Sequence, residues 1–326
     1  MRNSFFTISL DFELFWGVFP TSSIENYGAN ILGGREAIPQ ILSLFKNYNI
    51  HATWATVAMA SFESKKQLIS YIPNTKPTYK NHHMDAYVHL ENVGENERED
   101  PYHFGYSLLR KITDVPGMEI ASHTFSHFFS LEQNNKSAFK ADLEASNQSF
   151  RRLDIETRSL IFCRNEHKES DLQALKDKGF TTYRGNETSF RTDKDHYLFR
   201  SRQKQPLHVK VGRWADTCVN ICGNQLLEPK KDRLGLVDIP SSRMLRPFSN
   251  VNYVDHLRLK RIKSSMLAAA QKKKGYHLWW HPHNFGQNTR ENLAVLKNIL
   301  QYYMVLNNKY GMESLNMAEV SDRVIR

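Results

Sequence analysis

The chain has 326 residues, 40% of them hydrophobic and 12% aromatic, enough for a full core and close to the size of one large α/β barrel with insertions. Gly 15 and Pro 11 exclude a collagenous or Pro/Gly-rich disordered chain, and only three cysteines, Cys163, Cys218 and Cys222, exclude a disulfide scaffold and read as buried thiols. Lys and Arg number 44 against 34 Asp and Glu, a net charge of +10, and no apolar run nears the roughly 20 residues of a membrane span. The N-terminal stretch lacks a cleavable leader pattern, so the expectation is a cytoplasmic protein without a transmembrane segment.

Phe5-Phe6-Thr7-Ile8-Ser9-Leu10 predicts a first strand over 4–10. Further strands are expected over 50–57, 117–122, 158–163, 180–184, 235–239 and 276–281. Helices are expected over 34–48, 58–71, 137–152, 168–178, 253–274 and 289–306. The first of these shows Ala37, Ile38, Ile41, Leu42, Leu44 and Phe45 at helical spacing, and Gly179 stops the fourth before a strand. This alternation is that of a βα-repeating fold. Residues 73–106 and 185–232 interrupt it and read as insertions in a single domain over 1–326; loops of that length serve as lids or binding loops. The basic stretch from Arg258 to Lys274 carries Ile262, Met266, Leu267 and Ala270 at helical spacing. It reads as a helix with a solvated basic face, and a nucleic-acid partner is not expected. The functional counterpart of the charge is attraction of an anionic substrate.

Three expected strands end in ionisable groups: Asp11-Phe12-Glu13, His123-Thr124-Phe125-Ser126-His127 and His281-Pro282-His283. Active-site groups of parallel barrels sit at the C-terminal ends of strands. The i, i+4 histidines would share one face of a helical turn, and two imidazoles with one carboxylate can hold a divalent ion with open positions for water. Asp11 and Glu13 would repel each other unless a cation or an arginine lies between them. His281 or His283 could serve as a general acid, because histidine titrates near neutrality. Arg164 follows the expected strand 158–163, where it could pair with a carboxylate and lower its pKa. A competing cluster, His82, His83, Asp85 and His89, lies in the first insertion with no strand before it. There is no GxGxxG, P-loop, GxSxG or HExxH, which argues against a nicotinamide enzyme, an NTPase, a serine hydrolase and a zincin.

Taken together, Ser9-Leu10-Asp11-Phe12-Glu13, Ala52-Thr53-Trp54-Ala55, His123-Thr124-x-x-His127, Arg164-Asn165 and Leu278-Trp279-Trp280-His281 resemble the motifs of the polysaccharide deacetylases, the carbohydrate esterase 4 class, in family order. The resemblance implies a distorted, seven-stranded (β/α) barrel. It implies a divalent ion, zinc first and cobalt, manganese, nickel or iron as alternatives, held by Glu13, His123 and His127. By the same resemblance Asp11 is the base, Arg164 orients it and His281 is the acid. The expected reaction is removal of an N-acetyl, or in second place an O-acetyl or formyl, group from a sugar. Trp16, Trp280 and His283 are the candidate substrate-binding residues. The family's common first motif has adjacent acids; Asp-x-Glu resembles a divergent branch linked to cell-surface polysaccharide and lipid-linked sugar synthesis. The expected partners are therefore an acetylated sugar, a nucleotide sugar or a lipid-linked oligosaccharide. The alternative is a non-catalytic carbohydrate-binding protein on the same fold.

Overall fold

A computed structural model describes residues 3–133, 135–187 and 207–325, so residues 188–206 of the second expected insertion lie outside the described residues. In chain order, β1 (Phe5–Phe12) leads to α1 (Ile24–Asn47), β2 (Ala52–Thr56), α2 (Lys65–Ser70) and α3 (Tyr106–Thr113). β3 (Met118–Ser122), α4 (Lys136–Arg151), β4 (Ser159–Leu160), α5 (Glu169–Asp177) and β5 (Thr182–Tyr183) continue the alternation. Next come α6 (Leu207–Cys218), β6 (Lys230–Lys231), β7 (Val237–Asp238), β8 (Arg243–Met244) and α7 (Asn252–Lys272). β9 (Gly275–Trp280), α8 (Thr289–Tyr310), β10 (Glu313–Ser314) and α9 (Met317–Ile325) close the described chain.

The strands form one sheet in the order β6-β7-β5-β4-β3-β2-β1-β9-β8, with β10 also on β1. Every pairing is parallel except β6 on β7. The sheet curls into a distorted (β/α) barrel. The expected seven strands are ten among the described residues, six of them only two residues long. The ladders over 158–163, 180–184 and 235–239 are shorter than the apolar runs because the chain leaves the sheet early, into the turns that carry the site.

Register decides which side chains face inward, because side chains alternate along a strand and neighbours in register share a side. Ser9 pairs with Thr53 and Trp279, Asp11 with Ala55, and Ala55 with Ala121. On the outer side Phe6, Ile8, Leu10 and Phe12 join Trp54, Leu278 and Trp280 against Ile38, Ile41 and Phe45 of α1 and Leu296 and Leu300 of α8. On the inner side Phe5, Ala55, Ala121, Ile161, Val237 and Ile239 make an apolar floor, plugged by Leu315 and by Met317 and Val320 of α9. Toward the C-terminal strand ends the inner row turns polar.

Two contacts set the walls of that end. α1 meets the turn Pro282–Phe285 backbone to backbone: a Cβ on Gly34 would lie 2.6 Å from His283 Cα, and one on Gly286 would lie 2.0 Å from Asn30 O. The first insertion folds over α1, where Arg35 Nη1 donates to Pro101 O at 3.1 Å and Phe104 O at 2.7 Å.

Candidate active site

Asp11, the last inward residue of β1, meets Arg184, the residue after β5. Arg184 Nη1 donates to Asp11 Oδ1 and Nη2 to Asp11 Oδ2, both at 2.7 Å. The guanidinium also donates to Ser9 Oγ and Asn165 Oδ1, each at 3.0 Å, and lies 4.4 Å from the Trp279 ring centre. Burial pushes the Asp11 carboxyl up, but Arg184, with His123 and His281, outweighs it and holds the group below its ordinary value.

Glu13 sits just past the strand, where Leu14 has a left-handed backbone (φ 49°). Gly17 makes room for it: a Cβ there would lie 1.9 Å from Glu13 Cδ. Glu13 Oε2 is 3.3 Å from His123 Nε2 and 3.2 Å from His127 Nε2, and Oε1 is 3.5 Å from His281 Nε2. Burial raises this carboxyl too, but the three imidazoles bring it well below the ordinary value.

The histidine pair lies on a loop after β3, not on the helical turn that its spacing suggests. Thr124 (φ 67°) and His127 (φ 55°) are left-handed there, a conformation costing about 1–3 kcal/mol for a non-glycine residue. Buried Asp142 of α4 pins the loop: it accepts from Phe125 N at 2.7 Å, Ser126 N at 3.2 Å and Ser126 Oγ at 2.5 Å. The two rings end 5.1 Å apart. His123 Nδ1 donates to Ile161 O at 2.7 Å, which leaves the Nε2 lone pair for the pocket. Burial lowers His127; burial also opposes charge on His123, but Glu13 and Asp11 outweigh it and raise that ring.

These donors fit a divalent ion. Groups about 2.0–2.1 Å from a tetrahedral ion stand about 3.3–3.4 Å apart, close to the 3.2 and 3.3 Å between Glu13 Oε2 and the two Nε2 atoms. Cys163 Sγ also lies within 4.8 Å of ligand atoms of His123 and His127, a neighbour that spacing alone had not singled out. Cys163 belongs to the packed core rather than to the pocket lining, and burial pushes its thiol well up, so the thiolate is disfavoured.

Asp11, Glu13, His123, His127 and His281 line one open pocket, with Gly17, Arg164, Asn165, Arg184 and Trp279. His281 Nε2 is 3.7 Å from Asp11 Oδ2, and its Nδ1 is 3.3 Å from Asn284 Oδ1, which can only accept. His283 stacks behind His281 (ring centres 5.0 Å apart), outside the lining, and burial with His281 pushes it down to about 3.

His283, expected to bind substrate, instead stands behind the lining; three further expected positions need correction. Arg164 does not reach Asp11: its Nη1 is 3.9 Å from Glu132 Oε1 and its guanidinium 4.6 Å from the Phe129 ring. Left-handed backbone at Arg164 (φ 58°) and Asn165 (φ 54°) carries that side chain to the rim, and Arg184 takes the place beside Asp11. The signal for Arg184 was present, since it ends the expected strand 180–184. Trp280 points outward and stacks on Phe285, with 0% exposure, so it offers no surface to a substrate; its neighbour Trp279 lines the pocket. Trp16 is equally buried, with Nε1 donating to His103 O at 2.8 Å. The competing cluster does not assemble: His82 and His83 lie in an exposed turn, His89 packs on Phe19 at 4.6 Å, and the described residues gather no metal-ligand group there.

No family model matches the chain, and no curated protein sequence matches it. Solved structures do match. A protein described as a polysaccharide deacetylase from Mycobacterium smegmatis aligns with a TM-score of 0.60 at 12% identity, over 99% of this chain and 91% of that one. One described likewise from Pseudomonas aeruginosa PAO1 aligns at 0.56 and 12%, over 98% and 89%. The Puue allantoinase aligns at 0.55 and 10%, over 98% and 88%. At such identities the likeness speaks for architecture and leaves the chemistry to the pocket. The curled parallel sheet, matched over nearly the full length of these chains, gives this protein the polysaccharide deacetylase fold.

Proposed function

We propose that the chain is a metal-dependent carbohydrate deacetylase, a hydrolase of carbon–nitrogen bonds other than peptide bonds. Its substrate would be an N-acetylated sugar, with O-acetyl and formyl groups in second place. The observation that carries this reading is the convergence of Glu13 Oε2 on both imidazole Nε2 atoms, at 3.3 and 3.2 Å, in a pocket shared with Asp11 and His281. Glu13, His123 and His127 would hold the ion. Two imidazoles and a carboxylate suit zinc, with cobalt, manganese, nickel and iron as alternatives. When bound, the ion supplies Lewis acidity to an acyl carbonyl and to the attacking water.

The remaining steps belong to the chain. Asp11 accepts the proton of the attacking water; Arg184 keeps it ionised and fixes its plane. His281 gives a proton from Nε2 to the departing amine, while Asn284 accepts from Nδ1 and holds the ring. Trp279 backs the pocket and supports the Arg184 guanidinium, 4.4 Å from its ring centre. The net charge of +10, and Arg164 at the rim, favour an anionic sugar: a nucleotide sugar or a lipid-linked oligosaccharide of cell-surface polysaccharide synthesis, met in the cytoplasm.

The test pairs metal content by mass spectrometry with acetate release from a panel of acetylated sugars and sugar diphosphates. The expected result is about one divalent ion per chain, lost together with acetate release in His123→Ala/His127→Ala. An ion retained in the double variant would sink the proposed site. Sugar binding without acetate release from any substrate would replace the reading with that of a carbohydrate-binding protein.

A further inference from the structure

α6 buries a charged residue and presents an apolar stripe to water. At about 100° per residue, Leu207, Val211, Trp214 and Cys218 fall in one narrow sector, with Val209 and Asp216 opposite. Leu207 is 76% exposed, Val211 55% and Trp214 51%, and Val219 and Ile221 extend the stripe past the helix at 60% and 45%. A surface helix ordinarily does the reverse, so the orientation needs a cause. That cause is Asp216, buried on the inward face, 2.8 Å from Arg243 of β8, and accepting from Ile221 N and Cys222 N at 3.0 and 2.8 Å. A buried ion pair locks the apolar stripe outward.

Among the described residues the exposed charge beside the stripe is positive. Asp216, the one acid of α6, is buried; Lys210 is exposed, and α7, packed beside α6, adds exposed Lys260. A second copy on this face would set like charges against each other. We propose that α6 is a membrane-contact helix that seats the protein on an anionic bilayer surface. Its apolar stripe enters the headgroup region and its basic residues meet anionic headgroups. No described helix is long and apolar enough to cross a membrane, so the contact is with the surface. The inference concerns where the protein sits and is independent of the deacetylase reading.

Trp214 is a built-in probe, since the other four tryptophans are 0–2% exposed. The full chain is mixed with phosphatidylcholine vesicles, with and without about one third phosphatidylglycerol. The expected result is co-sedimentation with the anionic vesicles, a blue shift of tryptophan emission and loss of acrylamide quenching, all weakened by salt. Val211→Glu and Trp214→Glu should each weaken co-sedimentation about tenfold or more, with unchanged melting temperature because both side chains are exposed. Three results overturn the proposal. One is quenching and sedimentation unaffected by vesicles. Another is a Trp214 already shielded in dilute protein, which would mean that the chain covers its own stripe. The third is shielding that grows with protein concentration alone, which would mean a second copy.

Discussion

Arg184 and Asp11 face each other across the interior of the curled sheet, joined by two 2.7 Å hydrogen bonds although three strands separate β5 from β1. Their side chains are 1% and 4% exposed, so the pair is a brace as well as part of the pocket. Arg184→Ala strands a buried carboxylate, and removing one partner of such a pair costs about 3–5 kcal/mol. Arg164→Ala, at the rim, should cost under about 1 kcal/mol. Denaturant titration of the two variants side by side tests the reassignment. Equal, small losses would return Arg164 to consideration.

Gly17→Ala should empty the metal site without unfolding the protein. The added methyl falls on the Glu13 carboxylate, which must swing away from the histidines. The expected outcome is loss of bound ion by mass spectrometry with a nearly unchanged circular-dichroism melt. Full metal content in this variant would mean that Glu13 is not a ligand.

Cobalt separates the two donor sets available to the histidines. With Glu13, His123 and His127 as ligands, the Co(II) protein lacks a thiolate-to-metal charge-transfer band in the near ultraviolet, and Cys163→Ser leaves its spectrum unchanged. Such a band, lost in Cys163→Ser, would bring Cys163 into the coordination sphere.

Asp142 gives a pH signature. Burial outweighs its three hydrogen bonds and raises its pKa to about 6, above the ordinary value of 3.8. A carboxyl raised in the folded state contributes stability that is complete below its unfolded pKa and is lost as pH rises through the folded value. The stability of the natural chain relative to Asp142→Asn should therefore fall between about pH 4 and 6.5, by roughly 2–3 kcal/mol, and stay flat above. A difference that is flat across that window would show Asp142 ionised at its ordinary value.

The sequence displayed Asp11, Glu13, His123, His127 and His281 because each follows an apolar strand, where an ionisable group has few structural reasons to be. It could not rank Arg164 against Arg184, since one follows and the other ends an expected strand, and only the left-handed turn at 164–165 decides between them. Trp279 and Trp280 were separable in principle: Trp279 shares the inward side with Ser9, in register, and so with Asp11 two residues on. The apolar run 276–281 hid that parity because both faces of the strand are buried. α6 escaped notice for the opposite reason. Pattern reading assumes that apolar stripes face inward, and here an ion pair reverses the helix.

The contact between α1 and the turn Pro282–Phe285 leaves the pocket with one unyielding wall. Main chain touches main chain at Gly34 and Gly286, so no side chain there can shrink, grow or change rotamer to reshape the cavity behind His281. Adaptation to a larger or differently substituted sugar must come from the other rim, where Arg164 reaches over Phe129 and side chains make the contacts. Selection for a new substrate in the laboratory would then collect its changes around residues 129–133 and 163–166, and leave residues 30–34 and 282–286 untouched.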